Sequence, residues 1–213
     1  ETAWTRLIRV LTHEIMNTVT PIASLSSALS QNLDAYDTED VRSALGTISS
    51  SSEGLISFVQ SYRSLTHIAA PVRKAFYLRD LVNDSVTIAQ ANWPSARVSY
   101  HELSEDIILY ADYGQISQVM NNLIKNAVQA GASDIDITAS IDKRERTVIN
   151  VANNGEPISE TGREQIFVPF YTTKGVSGTG VGLSLCRQII RLNGGTINLT
   201  SSTLEATVFT IVL

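Results

Sequence analysis

Cysteine is nearly absent from this 213-residue sequence: Cys186 is the only one. One thiol cannot build an internal disulfide framework, so the fold has to rest on burial, and the composition fits a reducing compartment. Concentrated positive charge is missing too. Sixteen Lys+Arg against 21 Asp+Glu leave a formal net charge of −5 with no basic stripe, which excludes a general affinity for nucleic acid. No apolar run approaches the roughly 20 residues that span a bilayer, and no secretory signal opens the chain. The expectation is a cytoplasmic fragment without membrane contact. Because it starts inside a helical pattern, it reads as part of a longer protein, whose other segments could anchor it in the inner membrane.

What is present describes an ordinary globular chain. A hydrophobic content of 43% beside 17% charged residues supplies a real core, and the length suits one large domain or two small ones. Residues 4 to about 33 read as one amphipathic helix, with Ile8, Leu11, Ile15, Ile22, Leu25 and Leu29 in a four-three seam and Thr18 its one polar member. His13 falls opposite that seam and faces water, followed by Glu14 and, a turn later, by Asn17. After a polar break capped by Asp37 or Thr38, a second helix carries Val41, Leu45, Ile48, Leu55, Val59 and Tyr62 in the same rhythm. Two such helices leave apolar seams open, and dimerisation into a four-helix bundle is the economical way to bury them.

Ala69-Ala70-Pro71 marks a boundary between residues 1–70 and 71–213. Beyond it, Phe76-Tyr77-Leu78 is expected to lead into a helix that Trp93-Pro94 stops. Strands are expected at 98–103, 107–111, 135–141, 147–151, 196–200 and 207–213, with helices from Asp112 to Ala130 and from about Gly180 to Leu192. That order implies a mixed sheet covered on one face by helices.

Four clusters in this second part carry chemistry. Asn122 and Asn126 stand four apart on one helix face, and their amide oxygens suit a hard cation and a phosphate-linked water. Asn153-Asn154-Gly155-Glu156-Pro157 follows a strand, and its amides could read the edge of a base. Ile166 to Lys174 is aromatic and ends in Thr172-Thr173-Lys174, a combination suited to phosphate. Gly178-Thr179-Gly180-Val181-Gly182 opens a helix, where bare N–H groups approach an anion. Each is weak alone, and each has an unremarkable reading as polar stripe, turn or core.

As an ordered set with the opening helix, these residues resemble the catalytic core of a sensor histidine kinase of two-component signalling. His13-Glu14 matches the phosphoacceptor motif, and the H-E-x-x-N-x-x-T-P-I spelling resembles the nitrogen-regulation type. Asn122 and Asn126 match the N box, Asn153 to Gly155 the first glycine box, Phe167 to Phe170 the F box and Gly178 to Gly182 the second. The resemblance implies a dimeric antiparallel helical hairpin followed by an α/β sandwich of the Bergerat type that gyrase-like ATPases share. ATP and Mg²⁺ are the implied cofactors, and a response-regulator receiver domain is the implied partner.

The resemblance also implies roles. Asn126 would bind Mg²⁺ and Asn122 would sit beside the phosphates. Asn153, Gly155 and Thr207 would meet adenine, while Thr173, Lys174, Gly178, Thr179, Gly180 and Gly182 would contact or hinge over the phosphates. Glu14 would take the proton of His13, since only a neutral ring nitrogen attacks phosphorus. Asn17 would orient water if the protein also dephosphorylates its partner. The chain departs from the family in having Asn153 for Asp, Pro157 for Gly and Gln129 for a phosphate-contacting Lys. Asn122 stands where gyrase-type ATPases have a catalytic Glu, and an amide cannot be that base. These departures motivate a second reading, a nucleotide-binding pseudokinase that serves as a dimeric scaffold.

Overall fold

The computed structural model describes residues 3–32, 36–172 and 180–213, without the side chains of residues 3–11, 13, 14 and 32. Two compact units separate by their contacts, Glu1–His67 and Ile68–Tyr171 with Gly180–Leu213.

The first unit is built from α1 (Ala3–Asn32) and α2 (Thr38–Thr66), which pack on each other. Asp37 caps α2 by accepting from Asp40 N at 2.8 Å, and Glu39 and Asp40 place negative charge in its first turn. The serine run stays helical because its hydroxyls find helix carbonyls: Ser52 Oγ donates to Ile48 O at 2.7 Å and Ser50 Oγ to Thr47 O at 3.1 Å. The expected α2 seam needs one correction. Val41, Ala44, Ile48, Leu55, Phe58 and Tyr62 are half-buried, whereas Leu45 and Val59 are 54% and 45% exposed. The apolar residues of α2 are too many for one stripe. One set faces α1, while Leu45, Ile56 and Val59 remain outside it, as do Ile15, Met16 and Val19 on α1.

The second unit runs β1 (Lys74–Tyr77), α3 (Leu78–Asn92), β2 (Arg97–Glu102), β3 (Ile108–Ala111), α4 (Tyr113–Gln129), β4 (Asp134–Ile141), β5 (Thr147–Asn153), α5 (Glu160–Arg163), α6 (Gly182–Leu192), β6 (Thr196–Ser202) and β7 (Thr207–Val212). Five strands form a mixed sheet in the order β2-β4-β5-β7-β6, parallel only between β2 and β4. The segment expected to lead into a helix does so, with α3 starting at Leu78, and its own residues form a strand: β1 pairs antiparallel with β3 in a separate two-stranded ribbon.

Alternation does the rest. Ile135, Ile137 and Ala139 of β4, Ile149 and Val151 of β5, and Phe209 and Ile211 of β7 are buried on one face beneath α3, α4 and α6. Their intervening neighbours are less buried and more polar. Asp112 caps α4, accepting from Gln115 N at 3.0 Å, and its other carboxylate oxygen accepts from Val72 N at 2.8 Å.

Candidate nucleotide-binding site

Along β5 the buried face is apolar at Ile149 and Val151 and turns polar at Asn153. Cross-strand register puts Asn153 opposite Thr207 and Thr207 opposite Ser202. All three are at most 6% exposed. Ser202 Oγ and Thr207 Oγ1 share a hydrogen bond of 2.8 Å, and Ser202 also accepts from Ile158 N at 2.8 Å. Asn153 Nδ2 donates to Thr207 O at 3.3 Å, while its Oδ1 accepts from Gly155 N at 3.1 Å. Gly155 has to be glycine, because a Cβ there would lie 2.8 Å from Ala130 O. Glu156 N donates to that same carbonyl at 2.8 Å, so the turn after β5 is held against the end of α4.

A second set of polar groups meets along α4. A Cβ on Gly182, the first residue of α6, would stand 3.6 Å from Asn122 Oδ1 and 3.9 Å from Asn126 Nδ2. Both amides of α4 therefore lie beside the N-terminus of an 11-residue helix, where bare N–H groups and the helix dipole favour negative charge. Behind them Cys186 is fully buried. Burial pushes its thiol up to about 12 despite a hydrogen bond from Asn122. The approach to α6 is pinned at Phe170 and Gly180, both at positive φ (64° and 63°) and joined by Phe170 N donating to Gly180 O at 2.9 Å. A Cβ on Gly180 would fall 2.4 Å from Phe170 C. Phe167 packs edge-on against Phe209 at 6.3 Å and lies under the Arg187 guanidinium at 5.5 Å, which ties the aromatic segment to β7 and α6.

Two of the expected clusters thus converge on the start of α6, and a third closes the polar end of the sheet beside α4. Gln129 is exposed at the C-terminal end of α4. On α1 the backbone runs unbroken through His13, Glu14 and Asn17; Asn17 is exposed, and the side chains of His13 and Glu14 lie outside the described residues. Thr173, Lys174, Gly178 and Thr179 also lie outside them. Sequence reasoning missed Ser202 and Asn193. The latter accepts from Asp112 N at 2.9 Å and donates to Gln115 Oε1 at 2.9 Å, joining the start of α4 to the end of α6. No local pattern marks either residue, since both act across elements distant in sequence. Chemically, the arrangement offers open helix N–H groups to a polyanion and amide oxygens to its counter-cation, and a buried amide with two hydroxyls to a flat heterocycle.

Residues 111–213 match the family described as histidine kinase-, DNA gyrase B- and HSP90-like ATPases, a match that implies ATP binding. Among curated proteins, sporulation kinase D of Bacillus subtilis is 27% identical over 205 residues, covering 94% of this chain and 40% of its own length. Sensor histidine kinase ZraS of Salmonella typhi is 27% identical over 203 residues, covering 93% of this chain and 43% of its own. The chain thus spans about two fifths of the length of these relatives. Among solved structures, the complex of histidine kinase ThkA with the response regulator TrrA aligns with 98% of this chain and 60% of that one, at 26% identity and a TM-score of 0.71. The catalytic domain of ThkA alone aligns at 33% identity and a TM-score of 0.59, over 66% of this chain and 94% of the domain. A chain that shares a third of its aligned residues with nearly the whole of a histidine kinase catalytic domain, and matches named sensor kinases through its helices as well, belongs to the sensor histidine kinases.

Proposed function

We propose that this chain is a kinase core that moves the γ-phosphoryl group of ATP to a ring nitrogen of His13, and from there to an aspartate of a response-regulator receiver domain. One observation carries the reading most directly: the start of α6 at Gly182 faces both Asn122 and Asn126. In the first step a P–N bond forms as the bond between the γ-phosphorus and the bridging oxygen breaks, and ADP leaves with that oxygen. Glu14 takes the proton of the attacking imidazole. The open N–H groups of α6, with Gly180 and Gly182, hold the phosphates; Thr173, Lys174, Gly178, Thr179 and Gln129 are assigned to the same cradle. Asn153 and Thr207 take the adenine, with Gly155 at the turn.

Two amide oxygens on one helix face suit Mg²⁺, which asks for few protein ligands when phosphates supply others, and Asn126 is the assigned ligand. When bound, the ion neutralises triphosphate charge. Asn122 lies beside the phosphates without being a base, so idle hydrolysis is slow and transfer to His13 competes well. Asn17, on the turn after His13, orients water for dephosphorylating the partner. The H-E-x-x-N-x-x-T-P-I spelling supports the nitrogen-regulation type. Residues 1–70 would form the dimerising, phosphoaccepting hairpin and 71–213 the ATP-binding domain. The apolar residues left exposed on α1 and α2 support a homodimer. A pseudokinase scaffold is not favoured, because the matched relatives are named kinases.

Incubation with γ-labelled ATP tests this reading. The expected product is protein-bound phosphate that acid releases and alkali does not, absent from His13→Gln although that variant still binds ATP. Acid-labile phosphate retained in His13→Gln would remove His13 from its role.

A further inference from the structure

We infer that residues 69–73 form a latch across the joined ends of α4 and α6, held by Asn193, Gln115 and Asp112, and that its closing favours ATP binding at the other end of these helices. The inference rests on the reading of Asn122, Asn126 and the start of α6 as the phosphate contacts. A chain of amides runs through the latch. Asn193 Nδ2 donates to Ile189 O at 3.0 Å and to Gln115 Oε1 at 2.9 Å, and Gln115 Nε2 donates onward to Ala69 O at 2.8 Å. Asn193 Oδ1 accepts from Asp112 N at 2.9 Å, so both polar atoms of that buried side chain are engaged. Two further bonds hold the segment. Val72 N donates to Asp112 Oδ2 at 2.8 Å, and Arg73 Nη2 donates to the carbonyl of Leu192, the last residue of α6, at 2.7 Å.

Little apolar burial holds these residues in place. Val72 is 67% exposed, Ala69, Ala70 and Arg73 are exposed, and Pro71 is half-buried. Water replaces such hydrogen bonds at small net cost, so the segment opens locally while the fully buried Ile116, Val119, Ile189 and Ile190 keep α4 and α6 folded. The two helices run in opposite directions, because Asn193 just past the end of α6 meets the start of α4, and Gly182 at its start faces Asn122 and Asn126. With 11 residues, α6 separates these two places by about 16 Å. A closed latch pins one end of a stiff pair and limits relative tilt at the other. A triphosphate bridging the pair then has less motion to freeze, and binds more tightly. The coupling is reciprocal: bound nucleotide holds the latch shut by the same factor. Since α2 ends at Thr66, a short way before Ala69, a shift of that helix end pulls on the latch. Asn193, Gln115 and Arg73 are thereby positioning residues.

Amide hydrogen exchange reads the latch directly at the Val72 N–H, in the whole chain with and without ATP and Mg²⁺. Saturating ATP should slow that exchange about tenfold. The Arg144 N–H, bonded in the same way to Asp142 Oδ1 at 2.8 Å in the turn between β4 and β5, should not change. An unaltered Val72 rate beside slowed exchange in α6 overturns the latch and leaves the kinase reading intact. Two variants add a second measurement. Gln115→Glu keeps an oxygen for Asn193 but sets an acceptor against Ala69 O, and Arg73→Ala removes one bond at the surface, where folding is not at risk. Each should speed Val72 exchange and weaken ATP binding in calorimetry about three- to tenfold, with autophosphorylation restored at saturating ATP. Faster Val72 exchange with ATP affinity unchanged in both variants overturns the coupling, because a merely structural tie would behave that way. Failure of the wild type to bind ATP at all would instead remove the nucleotide-site reading beneath it.

Discussion

At the scale of single residues, Asn153 shows what one atom decides. In Asn153→Asp a carboxylate oxygen replaces the NH₂ that now donates to the Thr207 carbonyl, and acceptor meets acceptor in a buried position. The variant should therefore be about 1–3 kcal/mol less stable than wild type in denaturant titrations at neutral pH, and equal stability would deny the clash. The α4 amides are separable in the same way: Asn126→Ala should lose Mg²⁺-dependent ATP affinity more than Asn122→Ala, read by titration with and without the ion. The motif residues on α4 and α6 were legible because a run of asparagines on a helix and three spaced glycines are unusual. Ser202 was not, because a serine near the end of a strand looks like any other until its register against Thr207 is known.

At the scale of elements, the caps and necks carry the predictions. Asp112→Ala removes the cap of α4 and a tether to Val72, and should cost about 1–2 kcal/mol at neutral pH. The backbone N–H of Gln115, then that of Val72, hold the Asp112 carboxyl below its ordinary range. A depressed folded pKa contributes stability above the unfolded value, so the gap between wild type and variant should shrink as pH falls below about 4. Gly180→Ala places a methyl group 2.4 Å from Phe170 C at a φ of 63°, so the neck must open. ATP affinity should drop at least about tenfold while far-UV dichroism stays unchanged; unaltered affinity would show that the neck plays no part in binding. The long helices and the alternating strands were legible from their periods. β1 was not, because four residues hold too little alternation to announce a strand and its partner β3 lies more than thirty positions on. The α2 seam was half legible, since a repeat of apolar residues fixes the period but not which of two neighbouring stripes is covered.

At the scale of the molecule, the second stripe has a testable cost. Leu45, Ile56 and Val59 are 54%, 57% and 45% exposed in the single chain. If a second copy covers them, Leu45→Glu with Val59→Glu should convert a dimer to a monomer in sedimentation at micromolar concentration; an unchanged dimer would move the interface elsewhere. Among the described residues no helix is long and apolar enough to cross a membrane. The buried sulfur of α6 has its own consequence at this scale. Cys186 is the only thiol in the chain, fully buried, and holds its proton to about pH 12. An alkylating reagent needs both access and thiolate, so it can mark this protein only in the moments when α6 lifts from α4. Each modified molecule then records one opening of the nucleotide unit. ATP present at a hundred times its Kd should slow that labelling about a hundredfold, making an inert side chain a timer of how long the empty protein stays shut.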